Sequence, residues 1–211
     1  QSSDPATSVL VPEDGIKRVL VPQQQVAGDW RGLSYDDSAW MVASGKPGGI
    51  GYERGSGYDQ YISLNVETGM YQASTSCYIR TVFQPARVDQ DWISLRLNIR
   101  YDDGFVAYLN GVEVARANAP DTPAWNSSAS SGHPDSQSSV FAVFDISDHL
   151  DLLDADENVL AIQGLNVSPS SSDFLVSFEL VVAEEDVPNA SISANAIRYT
   201  GPITLDKSTH I

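Results

Sequence analysis

The chain has 211 residues and a formal net charge of -16, from 28 acids against 12 bases. That length supports a full hydrophobic core in one large β-domain or two small ones. The acidity repels phosphate backbones and anionic lipid headgroups, which argues against nucleic-acid binding, and no run of about 18 apolar residues is present to cross a bilayer.

In chain order, "QSSDPATS" has the look of a processed end and carries no signal peptide. "SVLVP" and "KRVLVP" follow as short strands. "DDSAW", residues 36–40, reads as a turn closed by Asp37 or Ser38 with Trp40 packed beneath it, and Trp30 and Trp40 flank it as structural aromatics. Residues 41–75 are rich in Gly and Tyr and are expected to form a long loop. Next come "CYIRTVF", "WISLRLNIR", "GFVAYLN", "VEVARAN", "VFAVFDI", "NVLAIQGLNV" and "FLVSFELVV", all strand-like. In "WISLRLNIR", Ile93, Leu95, Leu97 and Ile99 alternate onto one apolar face. Cys77, the single cysteine, lies in "STSCYIRTVF" and reads as a buried thiol, so packing replaces disulfides. Segments 117–139 and 166–173 are two further polar loops. "ISDHLDLLDADEN" predicts a short connecting helix capped by Ser147. "EEDVPNA" reads as a linker, and "AIRYT" and "ITL" as further strand candidates. Many short strands separated by turn residues predict an all-β fold, an antiparallel β-sandwich of jelly-roll type. The expected organisation is a module over 1–183, a linker over 184–190 and a further piece over 191–211.

The chemistry-bearing motifs are few. No G-x-S-x-G elbow, zinc-ligand spacing, phosphate loop or dinucleotide fingerprint is present. Two pairs of adjacent acids occur, Asp36-Asp37 and Asp102-Asp103. Neighbours on a strand point to opposite faces, so neither pair by itself flanks a glycosidic bond. A hard cation is the better match. Calcium takes carboxylate, amide and carbonyl oxygens from loops, and Asp102, Asp103 and Asn110 supply such oxygens. The competing reading is turn chemistry: "DDGFVAYLNG" as a polar entry, a strand and a primed Asn110-Gly111 turn. Among the aromatics, Trp125 sits in a polar Pro/Ser loop, and Tyr52, Tyr58 and Tyr61 share the Gly-rich segment with Arg54. These five are the candidate contacts for a sugar, whose C–H faces stack on rings. The alternative is that these rings anchor their loops to the sandwich.

"LRLNIRYDDGFVAYLNGVEVARANAP", "DENVLAIQGLN…SSSDFLVSFEL" and "LSYDDSAWMVASGKPGGIGYERGS…YIRTVF" resemble the galactose-binding-like jelly-roll module of large secreted or surface-attached bacterial proteins. The resemblance covers about residues 16–183. It implies a jelly roll of a kind that accompanies lamin-tail-like and spore-coat-kinase-like domains and carbohydrate-active enzymes. Locally, "DDG" before a strand and an Asn-Gly turn is similar to lectins of the protective-antigen-like class. There two aspartates joined by a cis peptide hold a sugar-contacting calcium, and Asp102 and Asp103 stand at the matching positions. "SANAIRYTGPITLDKSTHI" resembles the start of the immunoglobulin-like domain at chitobiase C-termini, which implies a segment of a longer chain.

The sequence reading is therefore a non-catalytic carbohydrate-binding module of a larger secreted or cell-surface protein. It is expected to bind a polysaccharide with calcium as the cofactor, beside other domains of the parent chain. A structural or adhesion module without a sugar ligand is the second reading, and a polysaccharide hydrolase or lyase the third.

Overall fold

A computed structural model describes residues 6–88 and 92–184. Its strands are β1 (Thr7–Val11), β2 (Lys17–Leu20), β3 (Met41–Ala43), β4 (Gly49–Glu53), β5 (Ile62–Asn65), β6 (Ser76–Phe83), β7 (Trp92–Asp102), β8 (Gly104–Leu109), β9 (Val112–Ala117), β10 (Ala142–Asp145), β11 (Asn158–Leu165) and β12 (Asp173–Glu184). They form two six-stranded sheets. Sheet 1 runs β10-β7-β12-β4-β5, with β1 also paired to β12, and sheet 2 runs β3-β2-β6-β11-β8-β9. The chain is an all-β sandwich. All pairings are antiparallel except β4 with β5, which is parallel. The predicted linker, "AIRYT" and "ITL" lie outside the described residues, apart from Glu184 at the end of β12.

The alternation in β7 explains the core. Leu95, Leu97 and Ile99 are fully buried, together with Phe105, Ala107 and Leu109 of β8 and Phe174, Val176 and Phe178 of β12. Ile93 breaks the expected pattern at 52% exposed. Ser94 pairs with Ala183 but Trp92 pairs with Glu184, so Ile93 is the extra residue of a bulge and is turned outward. Cys77 is buried in this core, and desolvation pushes its thiol pKa up.

The region 41–75 is not one loop. It holds β3, β4 and β5, and the glycines that obscure the pattern are structural. A Cβ on Gly51 would come within 2.1 Å of the Phe174 carbonyl oxygen, so only glycine lets β4 lie this close to β12. "ISDHLDLLDADEN" does begin a short 3-10 segment, Ser147–Leu152, but Ser147 is not its cap. Its hydroxyl instead accepts the Leu95 N–H and donates to Asp145.

A second, smaller cluster covers the outer face of sheet 2. Trp30 and Trp40 lie over Tyr78, Val106, Tyr108 and Ala161. The "DDSAW" turn forms as predicted, with the Trp40 N–H donating to the Asp37 carbonyl. Arg80 rises from β6 to fasten this segment. It is 1% exposed, holds Asp37 at 2.7 Å and donates to the Trp30 and Gly32 carbonyls.

Candidate functional site

Asp102 and Asp103 stand where the chain leaves sheet 1 for sheet 2: Asp102 is the last residue of β7, and Asp103 links it to Gly104, the first of β8. Their peptide bond is cis. The glycine of "DDG" is required by close packing: a Cβ on Gly104 would sit 2.7 Å from the Asn118 carbonyl oxygen. Asp103 is a staple. Its Oδ1 accepts the His133 N–H at 3.0 Å, its Oδ2 accepts the Val167 N–H at 2.7 Å, and its carbonyl accepts Asn118 Nδ2 at 2.9 Å.

Asp102 is different. It is 2% exposed, the Ser138 hydroxyl donates to it at 3.5 Å, the weak limit of a hydrogen bond, and its other side-chain neighbours are the carboxyls of Asp103 and Asp173. No cation pairs with it among the described residues. Burial first, then the charges of Asp103 and Asp173, push its carboxyl pKa up to about 9. Asp173 is raised too, by burial and by Asp135 and Glu53. Two buried oxygens border this corner without a good partner. Tyr58 Oη lies near Ser138 but makes no hydrogen bond of good geometry. Asn166 Oδ1 is orphaned while its Nδ2 is held by Tyr52 Oη and the Asp173 carbonyl. His133 closes the corner, stacked on Tyr101 at 4.2 Å with Nδ1 donating to the Tyr101 carbonyl. Sequence reasoning missed Asp173, Asn166, Ser138 and His133. The usable signal was that Asp173, like Asp103, is the acid that opens an apolar strand.

The structure does not assemble the predicted calcium set. Asn110 follows β8 while Asp103 precedes it, and six strand residues separate them by roughly 20 Å. Asn110 instead builds the turn, with φ of 50° followed by 88° at Gly111. Its Nδ2 donates to Leu152 O and Asn158 Oδ1, and its Oδ1 accepts the Val159 N–H. Among the described residues no group of three or more His, Cys, Asp and Glu side chains is arranged to hold a metal by itself.

The predicted sugar contacts are also dispersed. Tyr52 and Tyr58 are interior, 0% and 1% exposed. The Tyr52 hydroxyl donates to the Ser171 carbonyl, and burial pushes its pKa up to about 12. Tyr61 lies under Arg100, 4.9 Å from its guanidinium. Arg54 is engaged by Glu67 at 2.7 Å and lies over the Tyr71 ring at 3.9 Å. Tyr52 and Arg54 thus belong to the sheet 1 side, and the two tyrosines serve the interior, as anchors do.

Trp125 belongs to a real concavity on the other layer. A cleft of about 310 Å³ opens over the outer face of sheet 2, with Tyr78, Tyr108 and Gln163 as its floor. Trp30 and Arg31 form one wall and Pro123 to Trp125 the other. Trp30 stacks on Tyr78 with centroids 4.0 Å apart and meets Tyr108 edge-on at 5.9 Å. Arg31 is held by Asp29 through two bonds of 2.7 and 3.0 Å. The floor residues are the outward positions of alternating strands, where a polar or aromatic residue reads as mere surface.

No family model matches the sequence, and no curated protein matches it significantly. Solved structures do match in fold. A Bacteroides uniformis beta-glucuronidase superposes with a TM-score of 0.52 at 10% identity, over 84% of this chain and 18% of that one. A calcium binding mutant of Bacteroides uniformis beta-glucuronidase 2 gives 0.50 at 13%, over 84% and 18%. An uncultured Clostridium beta-glucuronidase gives 0.50 at 14%, over 88% and 30%. Identities this low establish the fold alone. The chain spans less than a third of each of these proteins. These matches correct the sequence reading of a non-catalytic, non-enzymatic binding module to this extent: these three solved chains that share its fold are glycosidases by name.

Proposed function

We propose that this chain is a β-sandwich domain of a glycoside hydrolase, acting with the rest of that protein on a glycan. The observation that supports this reading is the shared fold over more than four fifths of the chain with beta-glucuronidases in which the sandwich is a minor part. The test is hydrolysis by the parent protein of a panel of aryl β-glycosides, the β-D-glucuronide included. Cleavage of at least one, reduced when this domain is deleted or disordered, is the expected result. A parent protein that cleaves none would overturn the reading.

Calcium belongs to the same proposal. The residues at the Asp102 corner fit a hard cation, because clustered buried carboxyls with no cationic partner among the described residues and the orphaned Asn166 Oδ1 are oxygens of the right type. Asp102, Asp173 and Asn166 would hold the ion, which would neutralise the clustered carboxylates and fix the loops around them. A secreted or cell-surface location is part of the proposal, and calcium sites of extracellular modules work at roughly 10⁻⁴–10⁻³ M. A melting temperature raised by calcium over a chelator control, with the rise lost in Asp102→Ala, is expected. An equal rise in that variant places the ion elsewhere.

A further inference from the structure

We propose that the cleft on the outer face of sheet 2 is a subsite for one uncharged pyranose unit. The inference rests on the reading of this chain as part of a glycoside hydrolase, and it adds a place and a sugar class to it. The volume of about 310 Å³ lies at the small end of ligand sites, roughly 300–1,000 Å³, which suits one or two rings rather than a long chain segment.

The lining has the two things a sugar needs. Aromatic surface comes from half-buried Trp125; Trp30 and Tyr108 border the cleft but are 7% and 5% exposed, and the Arg31 guanidinium lies over the Tyr108 ring at 5.1 Å. Fixed polar groups come from the floor. Gln163 is 2% exposed, and its Nε2 is held by Ser76 Oγ at 2.7 Å and the Ala124 carbonyl at 2.8 Å. Its Oε1 faces no protein donor among the described residues, so a preset acceptor borders the cleft. The Tyr78 hydroxyl, also without a protein partner there, supplies both a donor and an acceptor.

Charge decides the sugar class. Arg31, the one cation lining the cleft among the described residues, already donates two bonds to Asp29. A ligand carboxylate would face the Asp29 carboxylate at that pair, inside a protein of net charge -16. An uncharged sugar meets no such opposition. The walls are also preformed. The buried Arg80 fastens the Trp30 segment through Asp37 and two carbonyls, so little ordering is left for binding to drive.

The test is titration of the full chain with lactose, cellobiose, maltose and glucuronic acid, followed by tryptophan fluorescence and amide chemical shifts. The expected result is saturable binding of at least one neutral disaccharide, with shifts at Tyr78, Tyr108 and Gln163. Trp125→Ala should weaken it tenfold or more. Binding of none of the three, shifts confined to another face, unchanged affinity in Trp125→Ala, or tighter binding of glucuronic acid would each overturn it. If Trp125→Ala does not fold, the wild-type shift map decides. A parent protein that cleaves aryl glycosides while the cleft binds nothing sinks this inference alone. A cleft that binds in a protein with no hydrolase activity sinks the hydrolase reading alone.

Discussion

Two of the buried charged side chains in this sandwich, Arg80 and Asp102, are treated oppositely. Arg80 is 1% exposed and fully answered by Asp37 and the backbone carbonyls of the Trp30 segment. Asp102 is 2% exposed and answered by a hydroxyl at 3.5 Å and by the carboxyls of Asp103 and Asp173, which add charge of its own sign. A buried ion with a complete set of partners is part of the framework. A buried acid without one must stay protonated or take a cation from outside.

The largest expected break in that contrast is Arg80→Met. It leaves Asp37 and the loop carbonyls unanswered and should cost about 3–5 kcal/mol, as loss of one partner of a buried pair does. Urea unfolding would measure it. Next, Asp102→Asn should remove the calcium response in a thermal melt, a gain that in wild type reaches about 2.7 kcal/mol when calcium is 100-fold above its dissociation constant. Asn110→Ala sharpens the comparison from outside. It should lose about 1–3 kcal/mol from unpaired groups in the turn, yet keep the full calcium response.

The pH dependence is the subtlest. The Asp102 pKa is raised on folding, so the folded chain holds a proton that the unfolded chain has lost between about pH 4 and about pH 9. Stability linked to that proton is present at low pH and is lost as pH rises through this window. Without calcium, wild type should therefore lose more of its melting temperature between about pH 5 and pH 8 than Asp102→Asn does. Equal losses would show that the acid is not held neutral.

The sequence made much of the fold legible. Strands with a clean period of two, such as β7, β8 and β11, were readable because one face is core. The segment 41–75 was not, because Gly49 and Gly51 are chosen for contact between backbones and leave no side-chain alternation. Trp30, Trp40 and the "DDSAW" turn were readable from local chemistry. The site was readable only where its residues are adjacent. Asp102-Asp103 stood out, but Asp173 and Asn166 are brought to them by the register of β12 and the end of β11, which no spacing along the chain reveals. Asn110 was joined to the pair by nearness in sequence, and a strand carries it to the opposite end.

The stretch from Asn118 to His133 touches both ends of the molecule's chemistry. Asn118 and His133 bind Asp103, Ala129 donates to Asn166, and Trp125 between them walls the cleft. For anyone redesigning this protein, the stretch is therefore a poor place for insertions, tags or shortened connections. A change of length there moves a tryptophan and a carboxylate together, and a swap meant to reshape the cleft would also disturb the corner around Asp103.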